Sequence, residues 1–595
     1  MSSETSARPP AQSARSEQIW HAVSVTPTGL GEPQTVPQSQ LANFVRTVET
    51  SNSQTPIRWV WSDAKEIMPL LLDEGVSPER AHDLRLVQRI LAMAATAPQS
   101  TVSYEPLCDL LTENHLPPAG TLPPARVAAG QDSLFDDALL STSLPEHPEP
   151  SKPTASELVA ELQAQLTAIE GSANPRRLKL LAAAESTGAL IAAEMKFFGI
   201  PWNRQIHEQL LTDTLGQRPG GYERPAKMEE LATEIRQRLA SPHLNPDSPQ
   251  ELLKALQTAG VRVKSTSKWA LRGWVQENAQ LSQSRQALIQ PLLEYKKLSR
   301  LFTANGWNWL DEWVQNNRFY PSYEVGGVVT GRWGAHGGGA MQIPKNVRSA
   351  VTAEEGMLLT VADASQVEPR ILAAMSGDRG LALAGQGTDL YMGIAEIGHR
   401  TGSALSERSQ AKIALLGAMY GATTGESGRL MPHLRKLFPQ AIELTEQAAR
   451  IGERGGQVST FLGRVSPEPS PQWFEQQRRQ STAEEERAAA TAARSWGRFT
   501  RNFVVQGTAA EWALCWMAQI RQKLRSTKIN GEPLRSHLVY FLHDEVMVYG
   551  SAHEAELCRR IIEDAAQSAG QIIFGQIPVE FPVSIASTDN YAKAK

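Results

Sequence analysis

The 595-residue sequence predicts an α+β multidomain chain, on three observations. Its length exceeds what one hydrophobic core ordinarily serves. Apolar residues recur at helical spacing through much of the chain, whereas continuous β-rich runs stand out in its C-terminal half. A Pro-rich stretch over 113–153 interrupts the patterning, and such composition reads as a long loop or linker.

Taken in order, residues 1–50 are rich in Ser, Thr, Gln and Pro and are expected to form a flexible lead-in. From Arg58, the runs RWVWS, EIMPLLLDEG and DLRLVQRILAMAA alternate short apolar with helical patterns, which predicts a small α/β module over 51–185 with the linker inside it. Residues 155–200 carry Ala and Leu at helical spacing, and 226–300 read as helices, including LLKALQTAG and ALIQPLLEYKKLSRLF. GMLLTVADAS (356–365) reads as a buried strand ending in an acid, and RSQAKIALLGAMYG (408–421) as a helix closed by glycine. The charged, Ala-rich stretch 466–494 predicts an exposed helix, and GRFTRNFVVQGTAAEWALCWMAQI begins another. SHLVYFLHDEVMVYG (536–550) is two β-rich runs around a polar turn, a hairpin.

Composition narrows the class. An apolar fraction of 41% is enough for real cores, and no stretch approaches a membrane span. Residues 1–16 hold no apolar signal core. Cys108, Cys515 and Cys558 lie far apart, which argues against a disulfide framework or zinc site and fits a reducing compartment. A soluble, cytoplasmic protein is expected. The net charge of −4 is no nucleic-acid footprint in itself, but a local basic surface matters more than the sum.

Asp363 follows LLTVA and Asp544 follows LVYFL, so each acid closes a strand at the rim of a sheet. On neighbouring strands, two such acids could share two Mg²⁺, because hard cations take carboxylate oxygens and keep several waters. Arg408, Lys412, Leu416 and Tyr420 are four residues apart and drift only about 40° per step, so they line one helical stripe with cations at one end and an aromatic at the other. A triphosphate could lie along it. Arg498, Asn502 and Gln506 repeat the spacing and suit a nucleic-acid track. For each feature taken alone, a strand-end acid or a solvated charged face is the ordinary alternative.

Together these elements resemble the A-family DNA polymerases, of which bacterial DNA polymerase I is the type. The resemblance runs in order over 186–595: LAAAESTGALIAAEMKFFGIPWN, LNPDSPQELLKAL, LLEYKKLSRL, TGRW with MQIP, DASQVEPR, RSQAKIALLGAMYG, GQVSTFLGR, NFVVQGTAAE, LHDEV and the tail NYAKAK. It implies a right-hand polymerase of palm, fingers and thumb, with a thumb at about 205–310, a palm at about 320–375 and 495–595, and fingers at about 376–494. Asp363 and Asp544 match the metal-binding aspartates, with the Ala364 carbonyl completing one shell of two Mg²⁺. Arg408 and Lys412 match the triphosphate-binding pair, Lys412 also as proton donor to pyrophosphate. Glu368 matches the steric gate against a ribose 2′-hydroxyl, paired with Tyr420. Gln366, Leu416 and His543 fall at nucleotide-binding positions. Arg332, Gln342, Arg498, Asn502, Gln506 and Glu545 fall at primer–template positions. Primer–template DNA and dNTPs are the implied partners, the state a monomer, and the place the cytoplasm at the nucleoid, in repair or replication.

The sequence also departs from the family. Ala364 and Leu416 stand where aromatics are usual, Pro369 replaces an aliphatic residue, and WGAHGGGAM is Gly-rich and lacks the Asn expected after Gln342. These bear on nucleotide selectivity rather than on the reaction. The family's N-terminal position holds a proofreading 3′–5′ exonuclease of RNase H-like fold. HDLRLVQRILA (82–92) resembles one of its late helices, but no Asp-x-Glu precedes it in an apolar strand. A reduced, inactive exonuclease-like domain is therefore expected, with no room for a 5′-nuclease domain. An active exonuclease, a single-subunit RNA polymerase, a catalytically dead DNA scaffold and an added binding role for the N-terminal segment are the alternatives. Glu368 speaks against the RNA polymerase, and the retained acids and Lys412 against the dead scaffold.

Overall fold

The computed structural model describes residues 18–26, 29–52, 57–94, 153–221, 223–336, 338, 343–387, 389–422, 425–479 and 481–594. The Pro-rich segment 113–153 thus lies outside the described residues, Pro153 excepted, as does 1–17 of the lead-in.

The rest of that lead-in is not the flexible tail expected. Strand β1 (Ile19–Ala22) pairs antiparallel with β2 (Gln34–Pro37), and α1 (Gln38–Ser51) follows directly. Its apolar residues are few, but Leu41 and Val45 are one helical turn apart and both are buried. Strands β3 (Trp59–Trp61) and β4 (Ala81–Asp83) run parallel, joined through α2 (Ala64–Asp73), and α3 (Leu84–Leu91) continues from β4. Both helices begin on aspartates. Asp63 accepts from Lys65 N at 2.9 Å and Asp83 from Leu86 N at 3.0 Å, each satisfying a donor the first turn leaves unpaired.

Helices α4 (Ala155–Glu170) and α5 (Pro175–Phe198) lead out of this module. The boundary expected at 185/186 falls inside α5, because this helix serves both sides. Ser186 Oγ accepts from Asp83 N at 3.0 Å, whereas Glu185 pairs with Arg464 at 2.8 Å. The region expected as the thumb holds α6 (Arg204–Leu215), α7 (Ala226–Arg238), α8 (Pro249–Thr258), α9 (Lys268–Gln276) and α10 (Ser282–Asn305), with α10 packed on α7 and α9.

The central sheet begins with β5 (Met357–Ala364). Then come α11 (Val367–Ser376), α12 (Leu390–Arg400), α13 (Arg408–Tyr420), α14 (Pro439–Glu453) and α15 (Ala483–Ser526). The chain returns as β6 (His537–Leu542), β7 (Glu545–Ser551), α16 (Ala555–Phe574) and β8 (Val583–Thr588). The strand order is β6–β7–β5–β8 and every pairing is antiparallel, so the strand with the apolar run lies inside the sheet. The stretch read as two helices around residue 495 is instead one helix of 44 residues from Ala483, preceded by a short one at Pro471–Arg478. The second of those expected helices starts at Gly497, in mid-helix. That glycine marks the crossing of α15 over α14, where a Cβ would stand 2.9 Å from the Ala449 carbonyl oxygen. Among the described residues no helix is long and apolar enough to cross a membrane.

Candidate active site

The sheet brings the two strand-end acids together. Asp363 on β5 faces Glu545 on β7 and Ser584 on β8, and Asp544 sits in the two-residue turn between β6 and β7. Ala364 N donates to the Asp544 carbonyl oxygen at 2.8 Å, which ties the two loops side by side. Both acidic residues are half-buried. His543, before Asp544, takes a left-handed backbone with φ 55°, a conformation that costs a non-glycine residue energy and recurs at functional turns. Its ring keeps an exposed edge, but the protein packed around it, and then the Arg332 guanidinium, push the imidazole down to about 4. Among the described residues no group of three or more His, Cys, Asp or Glu is placed to share a metal. Asp363 and Asp544 could offer a cation two carboxylates. Such hard oxygen suits a divalent cation that retains part of its water.

Glu545 was expected at the primer–template surface. It is instead buried, and its carboxylate accepts the Tyr591 hydroxyl. Burial, then Glu545, raises the Tyr591 phenol above its ordinary value, so the neutral donor persists. The Arg348 guanidinium covers the same ring at 4.4 Å.

A second cluster forms beside the acids. Glu368, in the first turn of α11, accepts one hydrogen bond from Arg332 Nη2 and another from the Tyr420 hydroxyl. Burial, then Glu368, pushes the Tyr420 phenol well up, and the buried Gln506 side chain of α15 also bonds it. Four residues singled out on separate segments thus meet at one point. Gly421 closes α13 in the left-handed region, φ 74°, where a Cβ would lie 2.7 Å from Arg498 Cγ. The stem of Arg498 therefore rests against the end of the helix that carries Tyr420. Asn502 lies half-buried one turn further along α15.

On α13, Arg408 is exposed and pairs with Asp389 at 2.7 Å. Burial opposes the charge of Asp389, but Arg408 and the Met392 N–H that it caps hold its carboxyl below the ordinary value. Lys412 and Leu416 are half-buried on the same face, and among the described residues Lys412 forms no ion pair. Gln366, left-handed at φ 56°, accepts from Leu390 N at 2.7 Å and donates to Asp389 at 3.2 Å. Gln342 lies outside the described residues.

Sequence reasoning missed three residues that organise this ground. Asp389 carried a signal, an acid directly before the apolar helical run LYMGIAEI. Arg370 lay inside a motif already noted, yet nothing marked it as fully buried, donating to the carbonyls of Ser365 at 3.0 Å, Gly387 at 3.0 Å and Glu580 at 2.9 Å. Tyr591 lay in the tail NYAKAK already noted, but nothing there marked it as the partner of Glu545.

Known proteins give this geometry its context. The chain is 25% identical over 392 residues to the thermostable DNA polymerase I of Thermus filiformis, covering 61% of this chain and 44% of that one. It is 29% identical over 275 residues to the DNA polymerase I of Chloroflexus aurantiacus, covering 43% and 27%. It thus spans less than half the length of these curated relatives. The fold matches a solved structure described as the POL domain of Pol1 from M. smegmatis in complex with DNA primer-template and dNTP, at TM-score 0.58 and 20% identity over 74% of this chain and 75% of that one. The arrangement around the four-stranded sheet is accordingly a right-hand polymerase-like fold. A sequence profile described as DNA polymerase family A matches residues 221–593, well over half of the chain and every acid and cation just described. The chain belongs to DNA polymerase family A.

Proposed function

We propose that this protein is a template-directed DNA polymerase that extends a primer 3′ end with dNTPs by two-metal-ion phosphoryl transfer. The observation that carries the reading is the meeting of Asp363 and Asp544 at one sheet edge inside the family match. Asp363, Asp544 and the Ala364 carbonyl would hold two Mg²⁺, which when bound supply charge neutralisation at the attacking 3′ oxygen and at the leaving pyrophosphate.

The chain's own residues do the rest. Arg408 and Lys412 bind the triphosphate along α13, and Lys412, engaged by no carboxylate among the described residues, gives a proton to the departing pyrophosphate. Glu368 occupies the space a ribose 2′-hydroxyl would need. Anchored on one side by Arg332 and on the other by Tyr420, it cannot swing aside without breaking both hydrogen bonds. Gln366, Leu416 and His543 border the nucleotide. Arg332, Arg498, Asn502 and Gln506, with Gln342, track the sugars and minor-groove edges of primer–template DNA. Glu545 acts from beneath, holding the tail through Tyr591.

The N-terminal module is a reduced exonuclease-like domain without exonuclease activity. Its strand-end acids are committed elsewhere: Asp83 is fully buried and caps α3, and Asp63 caps α2 and pairs with Arg85. We place the protein in the cytoplasm as a monomer at the nucleoid, in repair or replication.

Primer extension with dNTPs and with NTPs, in Mg²⁺, tests the reading. Template-directed addition of dNTPs over NTPs is expected, and a mismatched primer end given no nucleotide should keep its length. No extension would overturn the polymerase. Shortening that persists in Asp544→Asn would overturn the inactive module.

A further inference from the structure

The N-terminal module meets the rest of the chain at a charged knot. Glu324 lies in a short hairpin in which Tyr323 and Glu324 pair with Ala335 and Gly334. Its side chain is only 9% exposed, and three cations of the module converge on it. Lys65 forms an ion pair, Arg85 Nη2 stands at 3.1 Å and Arg89 Nη1 at 3.0 Å. His336 of the hairpin itself adds a contact at 3.2 Å. Arg89 also reaches along the loop, with Nη2 donating to the Gly326 carbonyl at 2.8 Å. Burial works against the charge on Glu324, but His336, Lys65 and the neighbouring guanidinium hold its carboxyl well below the ordinary range.

The same hairpin has two attachments on the side of the reaction. Its returning limb carries Arg332, which donates to Glu368. The Tyr323 hydroxyl donates to the Phe541 carbonyl at 3.0 Å and accepts from Phe541 N at 3.1 Å, on the strand that runs into Asp544. Between these points the loop is taut. Val328 N bonds the Arg332 carbonyl at 3.0 Å, Gly331 N bonds that of Val328 at 2.7 Å, and Gly331, at φ 84°, leaves a Cβ no room beside Arg464.

We infer that Lys65, Arg85 and Arg89 are positioning residues for the polymerase site: by gripping Glu324 they hold the hairpin where Arg332 meets Glu368. The module thereby serves synthesis as a brace, whatever its ancestry in hydrolysis. This role rests on the polymerase reading given above. It acts through Arg332 and Glu368 and touches neither substrate nor metal.

The test uses the full chain with Arg89→Ala, Arg89→Lys and a control, Ser77→Ala. The control removes a hydroxyl that accepts from Arg521 at 2.9 Å in the same module, away from the hairpin. Below the melting temperatures, Arg89→Ala should lower the dNTP-to-NTP incorporation ratio about ten-fold and raise KM for dNTPs more than it lowers kcat, because small misplacements at a site are costly. Arg89→Lys, which keeps the ion pair but loses the Gly326 bond, should fall between. Ser77→Ala should lower only the melting temperature. Amide hydrogen exchange at Gly331 and Phe541 should quicken in Arg89→Ala and not in the control. An unchanged ratio, KM and exchange in Arg89→Ala, or equal changes in Ser77→Ala, would overturn the role. Should Arg89→Ala not fold, Arg89→Lys decides by the same readings. A wild type that extends no primer would sink the polymerase reading alone, and the exchange comparison would still decide the brace.

Discussion

Two pairs of strand-end acids sit in this molecule, and they have opposite fates. In the N-terminal module β3 and β4 each run into a helix, so Asp63 and Asp83 become its caps. Asp83 takes Ala64 N at 2.7 Å and Leu86 N at 3.0 Å and is fully buried. In the central sheet β5 reaches α11 only through Ser365 and Gln366, and Gln366 holds the cap position. The turn after β6 leads to another strand, not to a helix. Neither Asp363 nor Asp544 holds the N-cap position of a helix, and both stay half-buried at the edge. Ending a strand does not fix what a carboxylate does; a helix that starts directly after it turns the acid into a cap.

The sharpest way to break this contrast is to neutralise one acid at a time. Asp363→Asn or Asp544→Asn should abolish extension while leaving primer–template binding within a few-fold, and Asp83→Asn should leave extension intact. A palm variant retaining more than about a tenth of the wild-type rate, equivalent to about 1.4 kcal/mol of barrier, would erase the distinction.

Next in size comes Glu368, the proposed gate. Glu368→Ala should admit ribonucleotides and slow dNTP addition, since Tyr420 and Arg332 lose a shared partner. Unchanged discrimination in competition assays would move the gate elsewhere, toward Ala364 and Pro369.

The buried member of the other pair should announce itself in stability. Burial, then Asp63, pushes the Asp83 carboxyl up to about 7. A folded value raised above an unfolded one of about 4 means that its contribution is full below that pH and is lost as pH rises through about 7. The melting-temperature gap between wild type and Asp83→Asn should therefore shift in favour of Asn from about pH 5 to about pH 8. A constant gap would mean that Asp83 is ionised throughout.

Leu416 should give the smallest effect. It lies on the α13 face between Lys412 and Tyr420, where the family resemblance sets an aromatic against the incoming sugar. A ring there would bury a few tens of Å² more, worth roughly 1 kcal/mol, so Leu416→Tyr should lower KM for dNTPs about five-fold. Its hydroxyl should also let dideoxynucleotides terminate chains, which the wild type should resist. A dNTP-to-ddNTP ratio unmoved by the substitution, with normal extension, would take Leu416 away from the sugar.

What could be read from the sequence was what a short window encodes. The run LLTVA is apolar without alternation because β5 is flanked by strands on both edges and is buried along most of its length. The stripe on α13 follows from spacing, and its end from Gly421. The failures share one cause, which is distance along the chain. Glu324 and Lys65 are 259 residues apart and Glu545 and Tyr591 are 46 apart, so no local pattern marks either pair. The packing of α1 was hidden in the same way, since its few apolar residues have meaning only once the rest of the core exists. The helix expected to start at Gly497 is the continuation of one already running, since the crossing that this glycine permits has no mark in one dimension.

Helix α15 finally sets the gearing of the whole hand. Its C-terminal part is pinned where Trp512 stacks on Phe581 at 5.1 Å, Trp516 Nε1 donates to the Ile562 carbonyl at 3.1 Å and Arg521 reaches the Pro78 carbonyl at 2.8 Å. From Trp512 the rod runs ~45 Å at 1.5 Å per residue, past Gln506, Asn502 and Arg498, to the crossing with α14 and on to its start at Ala483. On a lever of that length, one degree of tilt about the pinned end moves the far end by roughly 1 Å but the Gln506 turn by only a small fraction of that. A wide stroke at the far end of the helix is thus compatible with near-stillness where Gln506 meets Tyr420 and Glu368.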